Sequence, residues 1–455
     1  MSDSIDNNTM KYKLINLYQQ NKSVISEGLP ENMNKYREPA MREFDRLGIP
    51  EKGDEKYKYT DLMRAFGKGY GYTFKATNIA VDSKTLFRCS VPELDTHTLL
   101  LENGWYYQKN QEHAQLPSEI VACSIREAAV SYAGLFEKHY NQQAAKHPEG
   151  ISTFNAAFAQ DGLFLYIPDG FVLDKPIQII NLMRGGNPLL VNQRNLIVAG
   201  KNSQVKVIVC DHTLTQHHFL SNTVTEVFVD ENAVFDFYNI QNQHNESAQL
   251  TSLYIQQMKG SNTLTNTLTL HGGFVRNNIY VKLAGEHAEA HVYGLALIDG
   301  KQHIDNFTFI DHAVPNCQST EMYKNVLDDE ATGAFNGRIL VRRDAQKTQA
   351  FQSNKNICLS PTARFFTKPQ LEIYADDVKC SHGATIGQID EEALFYLQSR
   401  GIGGREARMM LMYAFAYEVS RNIRVPVLTE RYGELVEKRL RGELSRCEGC
   451  FVHCN

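Results

Sequence analysis

Val224-Thr225-Glu226-Val227-Phe228-Val229, then Asp230-Glu231-Asn232, then Ala233-Val234-Phe235: a short β-rich run, a turn, and a second run that opens on a small residue. This unit sets the rhythm on both sides of it. Upstream come β-rich runs at 163–167, 177–182 and 205–209; downstream they recur at 264–270, 278–283 and 304–310. Turn residues fall between them at Asp169-Gly170, Gly185-Gly186-Asn187, Gly200-Lys201-Asn202, Gly272-Gly273 and Asp299-Gly300. Short strands punctuated in this way define a sandwich, a barrel or a β-solenoid. Length favours the solenoid, because the pattern runs from about 151 to 390 and each coil of a solenoid needs only its neighbours. A turn followed by a small residue and an aromatic recurs near 231–235, 286–293, 330–335 and 360–365 at irregular spacing. Gln346, Gln352, Asn354 and Asn356 sit in strand-like context, where they fit either stacked amides between coils or a polar solvent face.

Different patterns flank this zone. Residues 11–27 and 35–48 carry helical spacing through Leu14, Leu17 and Tyr18, then Met41, Phe44 and Leu47, with Gly48 as C-cap. Residues 125–147 are again helical, so 1–150 reads as an N-terminal helical α/β domain and 151–390 as the β core. Asp390 caps a helix that stops at Gly401, a Met-rich helix follows over 404–422, and a charged one over 428–442. In the Met-rich helix Leu411, Phe415 and Val419 define the expected buried face, with Met412 and Ala416 beside it. The organisation is therefore 1–150, 151–390, a small helical domain at 391–442, and a cysteine-rich tail at 443–455.

Composition narrows the function. The 455 residues carry 47 basic and 52 acidic side chains, a net charge of −5, which argues against a nucleic-acid binder. No apolar run reaches membrane-spanning length and the first residues lack a signal-peptide core, so the expectation is a cytoplasmic protein with no membrane partner. Nine scattered cysteines read as thiols or ligands, not as a disulfide frame. There is no GxxxxGK[ST], GxGxxG in strand–helix context, HExxH or GxSxG, which removes ATPase, dehydrogenase, zincin and serine-hydrolase readings. The histidines at 212, 217, 218, 271, 287, 291, 303 and 312 read mostly as surface or turn residues.

Two cysteine clusters carry candidate chemistry. In Val378-Lys379-Cys380-Ser381-His382, an extended backbone puts Cys380 and His382 on one face. A thiolate and an imidazole side by side suit iron or zinc, or a nucleophile and its base. Two ligands do not close a site, so a second chain would complete it. A buried thiol beside a hydrogen-bonded histidine is the bland alternative. The tail offers Cys447, Cys450 and Cys454 with His453, which fits a labile metal or cluster ligand set or a reactive surface tail.

These residues carry a resemblance. Gly337-Arg338-Ile339-Leu340-Val341, Ala345-Gln346-Lys347-Thr348, Gln352-Ser353-Asn354-Lys355-Asn356, the run from Thr367 through Thr385, and Leu394-Phe395-Tyr396-Leu397-Gln398-Ser399-Arg400-Gly401-Ile402 resemble the SufB/SufD family of Suf iron–sulfur assembly proteins. Weaker similarity reaches Phe154-Asn155-Ala156-Ala157-Phe158, Asp161-Gly162 and Lys56-Tyr57-Lys58-Tyr59-Thr60. The form Cys380-Ser381-His382-Gly383-Ala384-Thr385 is that of the SufD branch; the SufB branch carries Glu-His-Glu-Ala-Thr there. The cysteines from 447 onward depart from the family pattern.

The resemblance implies a mainly β protein: a right-handed parallel β-helix with a helical N-terminal domain and a small C-terminal helical domain. It implies a non-enzymatic scaffold that pairs with SufB through strands near 365–390 and docks the ATPase SufC on helices 391–442. His382, and with less support Cys380, would meet iron or a nascent iron–sulfur cluster that is transient and shared with SufB, none being held tightly by this chain alone. When alone, the chain would form a homodimer; a SufB-like role and a stand-alone polysaccharide-active β-helix enzyme are the alternative functions. The last lacks a carboxylate pair, since the adjacent Asp376 and Asp377 on a strand would face opposite ways.

Overall fold

Residues 6–76, 94–107 and 114–443 are described in a computed structural model. The chain winds into a parallel β-solenoid of about eight turns, each contributing one strand to each of two sheets. The first sheet stacks Leu163–Ile167, Leu189–Ala199, Phe219–Val229, Ala248–Gln257, Phe274–Leu283, His303–His312, Thr332–Val341 and Arg364–Ile373. The second stacks Ile177–Met183, Gln204–Thr213, Val234–Asn242, Asn262–His271, Glu289–Ile298, Gln318–Leu327, Thr348–Cys358 and Val378–Gly387. Neighbours within each stack are parallel and in register along most of their length.

One turn chemistry is reused at the corner that leads from the first sheet into the second. Asn202, Asn232, Gly260, His287, Asn316 and Lys347 all sit there at positive φ, between 55° and 68°. Asparagine and glycine tolerate this left-handed conformation best, which explains the turn signals at Asn202 and Asn232. Asn232 also donates through Nδ2 to Asn202 Oδ1 of the preceding coil at 3.2 Å. The other corner varies in length, so a coil takes 26 residues from Ala248 to its register partner Phe274 but 32 from Thr332 to Arg364. The repeat in sequence is irregular for that reason.

Over the early and middle coils both faces of both sheets are covered, as parallel sheets require, whereas outward residues of the last coils such as Phe351 are exposed. Inward side chains from Leu99 to Ala375 form one continuous lumenal core. The outer face of the first sheet is clothed by the N-terminal region: Met10, Leu14, Tyr18, Phe44 and Phe154 pack on Leu190, Leu220, Leu250 and Phe274. The C-terminal helices Gly404–Ser420 and Pro426–Arg441 lie on the outer face of the second sheet, where Met412, Val419, Leu428 and Tyr432 meet Ile208, Tyr238, Leu268 and Leu295. The buried stripe of the Met-rich helix is thus Ala407, Met412, Ala416 and Val419. Leu411 and Phe415 are only half-buried, so the expected face was rotated by about one position. Asp390 caps its helix as expected, accepting from Glu392 N and Ala393 N at 3.0 Å.

Aromatic side chains in the lumen stack over glycines of the coil before. A Cβ at Gly294 would fall within the ring of Tyr323, its register partner in the next coil. Gly294→Ala is expected to destabilise the protein by about 1–3 kcal/mol through overpacking, measured as a lower urea midpoint of the full chain.

Candidate functional site

The two ends of the solenoid differ. At the N-terminal end the first strands are met by short partners: Val121–Ser124 antiparallel on one sheet, and on the other His97–Glu102, which runs parallel to Ile177–Met183 and carries Trp105–Tyr106 antiparallel on its far edge. At the C-terminal end, among the described residues, Arg364–Ile373 and Val378–Gly387 each pair on one side only. Two ten-residue strand edges are left with unpaired backbone groups. Ile373, Tyr374 and Ile386 are exposed beside them.

Cys380 and His382 lie on this last strand, in register with Ala350 and Gln352 of the coil below. Val378 and Cys380 pack against the lumenal core. Strand alternation therefore puts His382 on the lumen side too, at the open mouth, where nothing stacks above it among the described residues and it is exposed. Cys380 is half-buried, and burial pushes its thiol up. The structure thus brings these two predicted residues together on one face. No group of three or more His, Cys, Asp or Glu side chains able to hold a metal occurs among the described residues. Cys447, Cys450 and Cys454 lie outside the described residues.

Below His382 the lumen is polar. Gln352 donates through Nε2 to Glu321 Oε2 at 2.6 Å, and Glu321 is its register partner one coil deeper. Glu321 is 1% exposed, and burial pushes its carboxyl up to about 7. Asn325 donates to Asn356 at 2.7 Å, and Asn356 to Asn354 at 2.6 Å; all three are buried. The stacked-amide reading of Gln352, Asn354 and Asn356 therefore holds over the polar-surface one.

The Glu321 shift has a pH consequence. The folded protein keeps this proton up to about pH 7, whereas a glutamate at its ordinary value of 4.5 has lost it. The group's contribution to stability is fully present below 4.5 and is lost as pH rises toward about 7. Urea titrations of wild type and Glu321→Gln across that window check this: the wild-type midpoint should fall with pH by more than that of the variant.

Several functional-looking residues escaped the sequence reading. His271, His303 and His312 are buried, not surface or turn residues. Burial pushes His303 down to about 3 and His312 to about 4, so both are neutral. His303 stands beside a buried network on the outer face of the first sheet. There Arg276 pairs with Asp305, Thr60 donates to Asp305, and Tyr57 donates to Glu149 at 2.9 Å. The strap that supplies Tyr57 and Thr60 is the Lys56–Thr60 motif, whose five residues were noticed only as a similarity.

Fold and end together define a parallel β-solenoid whose last coil, uncovered among the described residues, bears a thiol and an imidazole. Residues 181–415 match the family described as SUF system FeS cluster assembly, SufBD core domain, and residues 8–179 match the SufBD protein N-terminal region. The chain belongs to the SufBD family. It is 29% identical over 423 residues to an iron–sulfur cluster assembly SufBD family protein of Synechocystis, covering 91% of this chain and 90% of that one. It is 39% identical over 178 residues to the iron–sulfur cluster assembly protein SufD of Escherichia coli, covering 39% of this chain and 42% of that protein. Similarity to SufD of Bacillus subtilis is 24% over 350 residues, covering 74% and 79%. No described helix is long and apolar enough to cross a membrane.

Proposed function

We propose that this chain is a scaffold subunit, itself without catalytic chemistry, of an iron–sulfur assembly complex, pairing with SufB through the open solenoid end and with the ATPase SufC through the C-terminal helices. The open end carries the reading. Exposed parallel strand edges of this length are a template for pairing, and proteins normally cover them. A second solenoid of the same family, presenting matching edges, is the natural cover. Without that partner the same edges would pair two copies of this chain, giving a dimer of the isolated protein. Iron or a nascent cluster is the cargo. His382 at the mouth supplies one ligand, with Cys380 beside it as the weaker candidate, and the partner supplies the rest, so binding depends on alignment of the two chains.

Exposed apolar side chains on the C-terminal helices support docking of the ATPase there. Phe395 at 72%, Tyr396 at 57% and Met410 at 44% exposed face away from the solenoid. The helices are also bolted to the second sheet. Arg424 bonds Asp236 at 3.0 Å, Arg439 bonds Asp299 at 2.7 Å, and buried Lys324 bonds Glu418 at 2.5 Å and the Phe415 carbonyl at 3.0 Å. A force on the helices would reach the sheet whose last strand holds His382, which is how a rigid-body movement could switch affinity for the cargo.

Anaerobic co-expression with SufB and SufC, followed by size-exclusion and iron and sulfide analysis, tests this. A co-eluting complex containing iron is expected. Failure of this chain to bind either partner would remove the scaffold reading.

A further inference from the structure

The lumenal row Glu321–Gln352–His382 contains an orphaned acceptor, Gln352 Oε1. Gln352 is 3% exposed and its Nε2 is committed downward to Glu321, one coil deeper. The two ends of a carboxamide point apart, so Oε1 is turned away from Glu321. That oxygen is buried and has no hydrogen-bond partner. The next coil presents Cys380, His382, Ala384 and Ile386 to the lumen, and Gln352 is in register with His382. Of these four side chains only the imidazole carries an N–H donor.

The site is also shaped to hold the amide. A Cβ at Gly337 on the facing sheet would collide with Gln352 Nε2 and would lie 2.5 Å from Phe335 Cζ. Glycine there leaves room for the carboxamide and no more. Glu321 in turn sets which way the amide points, because its Oε2 accepts from Nε2, most strongly when the carboxyl is ionised.

We propose that Gln352 is a positioning residue for His382: its Oε1 accepts one imidazole N–H when the ring turns into the lumen, leaving the other ring nitrogen free to meet metal, with Glu321 locking the amide's direction. This rests on the reading of His382 as a ligand. Groups that orient a metal-binding histidine in this way are commonly worth about 10–100-fold in metal affinity.

The test uses the full complex with SufB and SufC. Iron per complex is measured for wild type, His382→Ala, Gln352→Leu, Glu321→Gln, and the swap Glu321→Gln with Gln352→Glu. The swap keeps an amide–carboxylate pair and an acceptor facing His382. Gln352→Leu should lower iron retention about 10-fold or more without loss of co-elution, and the swap should restore it to within about twofold of wild type. In the full chain alone, nitrogen-15 spectra of the imidazoles, assigned by the signal missing in His382→Ala, should show the His382 tautomer ratio moving in Gln352→Leu while other histidines stay put. Wild-type iron in Gln352→Leu, with iron lost in His382→Ala, overturns the positioning role and leaves the ligand reading standing. If His382→Ala also keeps its iron, the ligand reading has failed, and an unchanged tautomer ratio in Gln352→Leu overturns the hydrogen bond as well. Should Gln352→Leu not co-elute, Glu321→Gln decides: it keeps the shape but frees the amide to turn, and wild-type iron retention there overturns the proposal.

Discussion

Asp305→Ala is expected to cost about 3–5 kcal/mol of folding stability, because it strands a buried guanidinium. The Arg276 side chain is wholly buried and Asp305 is nearly so. Arg276 also bonds Asn278 Oδ1 at 2.8 Å and lies 4.3 Å from the centre of the Tyr57 ring, with no route to solvent. Removing the carboxylate leaves the guanidinium hydrogen-bonded to neutral groups only, with the Glu149 carboxylate acting on it at longer range. Replacing both members, Arg276→Met with Asp305→Leu, should recover much of the loss, since desolvation of the pair is removed along with its attraction. Lys201→Ala is the control: its pair with Glu231 is half-exposed on both sides, and about 0–1 kcal/mol is expected. Urea midpoints of the four proteins check the series.

The same variant should loosen a distant part of the molecule. Thr60 donates to Asp305, and Lys56 and Tyr57 of the same strap bond Glu149. The strap then reaches the last coil, where Tyr59 stacks on Phe366 at 4.2 Å and Glu55 pairs with Lys368. The buried pair therefore helps brace the open end from outside. Hydrogen exchange in Asp305→Ala should quicken at 55–60 and along Arg364–Ile373 before it does in the early coils.

How far the sequence could be read depends on what each strand faces. Leu163–Ile167 is apolar inside and out and Ile177–Met183 is so apart from Gln178 and Asn181, so their runs of apolar residues were visible. Gln318–Leu327 was not found, because Glu321 and Asn325 face a polar lumen while Lys324 faces a covering helix; none of the three looks buried in sequence. Glu226, in the middle of the stretch that decides the fold, gives no sign in the sequence of its burial. In the structure it is buried, paired with Arg194 at 3.2 Å, and accepts from the backbone of Asn141 and Gln143 at 2.7 and 2.8 Å. Cys380 and His382 were legible because two-residue spacing on a strand is local. The Gln352–His382 adjacency was not, since only the coil register creates it and coil length varies along the chain.

The second large effect separates those two local candidates. In the complex with SufB and SufC, His382→Ala is expected to lower retained iron by about 10-fold or more, and Cys380→Ala to leave it within about twofold. The difference comes from where one strand turns two like-facing residues. Cys380 sits above Ala350 with its sulfur packed on the lumenal core, beside Val378, and its thiol is held protonated by that burial. It needs both a proton lost and a rotation out of apolar contacts before it can ligate. His382, one step further along the open edge, is already exposed at the mouth. Urea midpoints of the isolated variants give the complementary readout. Cys380→Ala removes a packed side chain and should lower stability, while His382→Ala should leave it nearly unchanged. Iron lost in Cys380→Ala but kept in His382→Ala would reverse the assignment, and would mean that the last strand rolls its lumenal face outward when the partner docks.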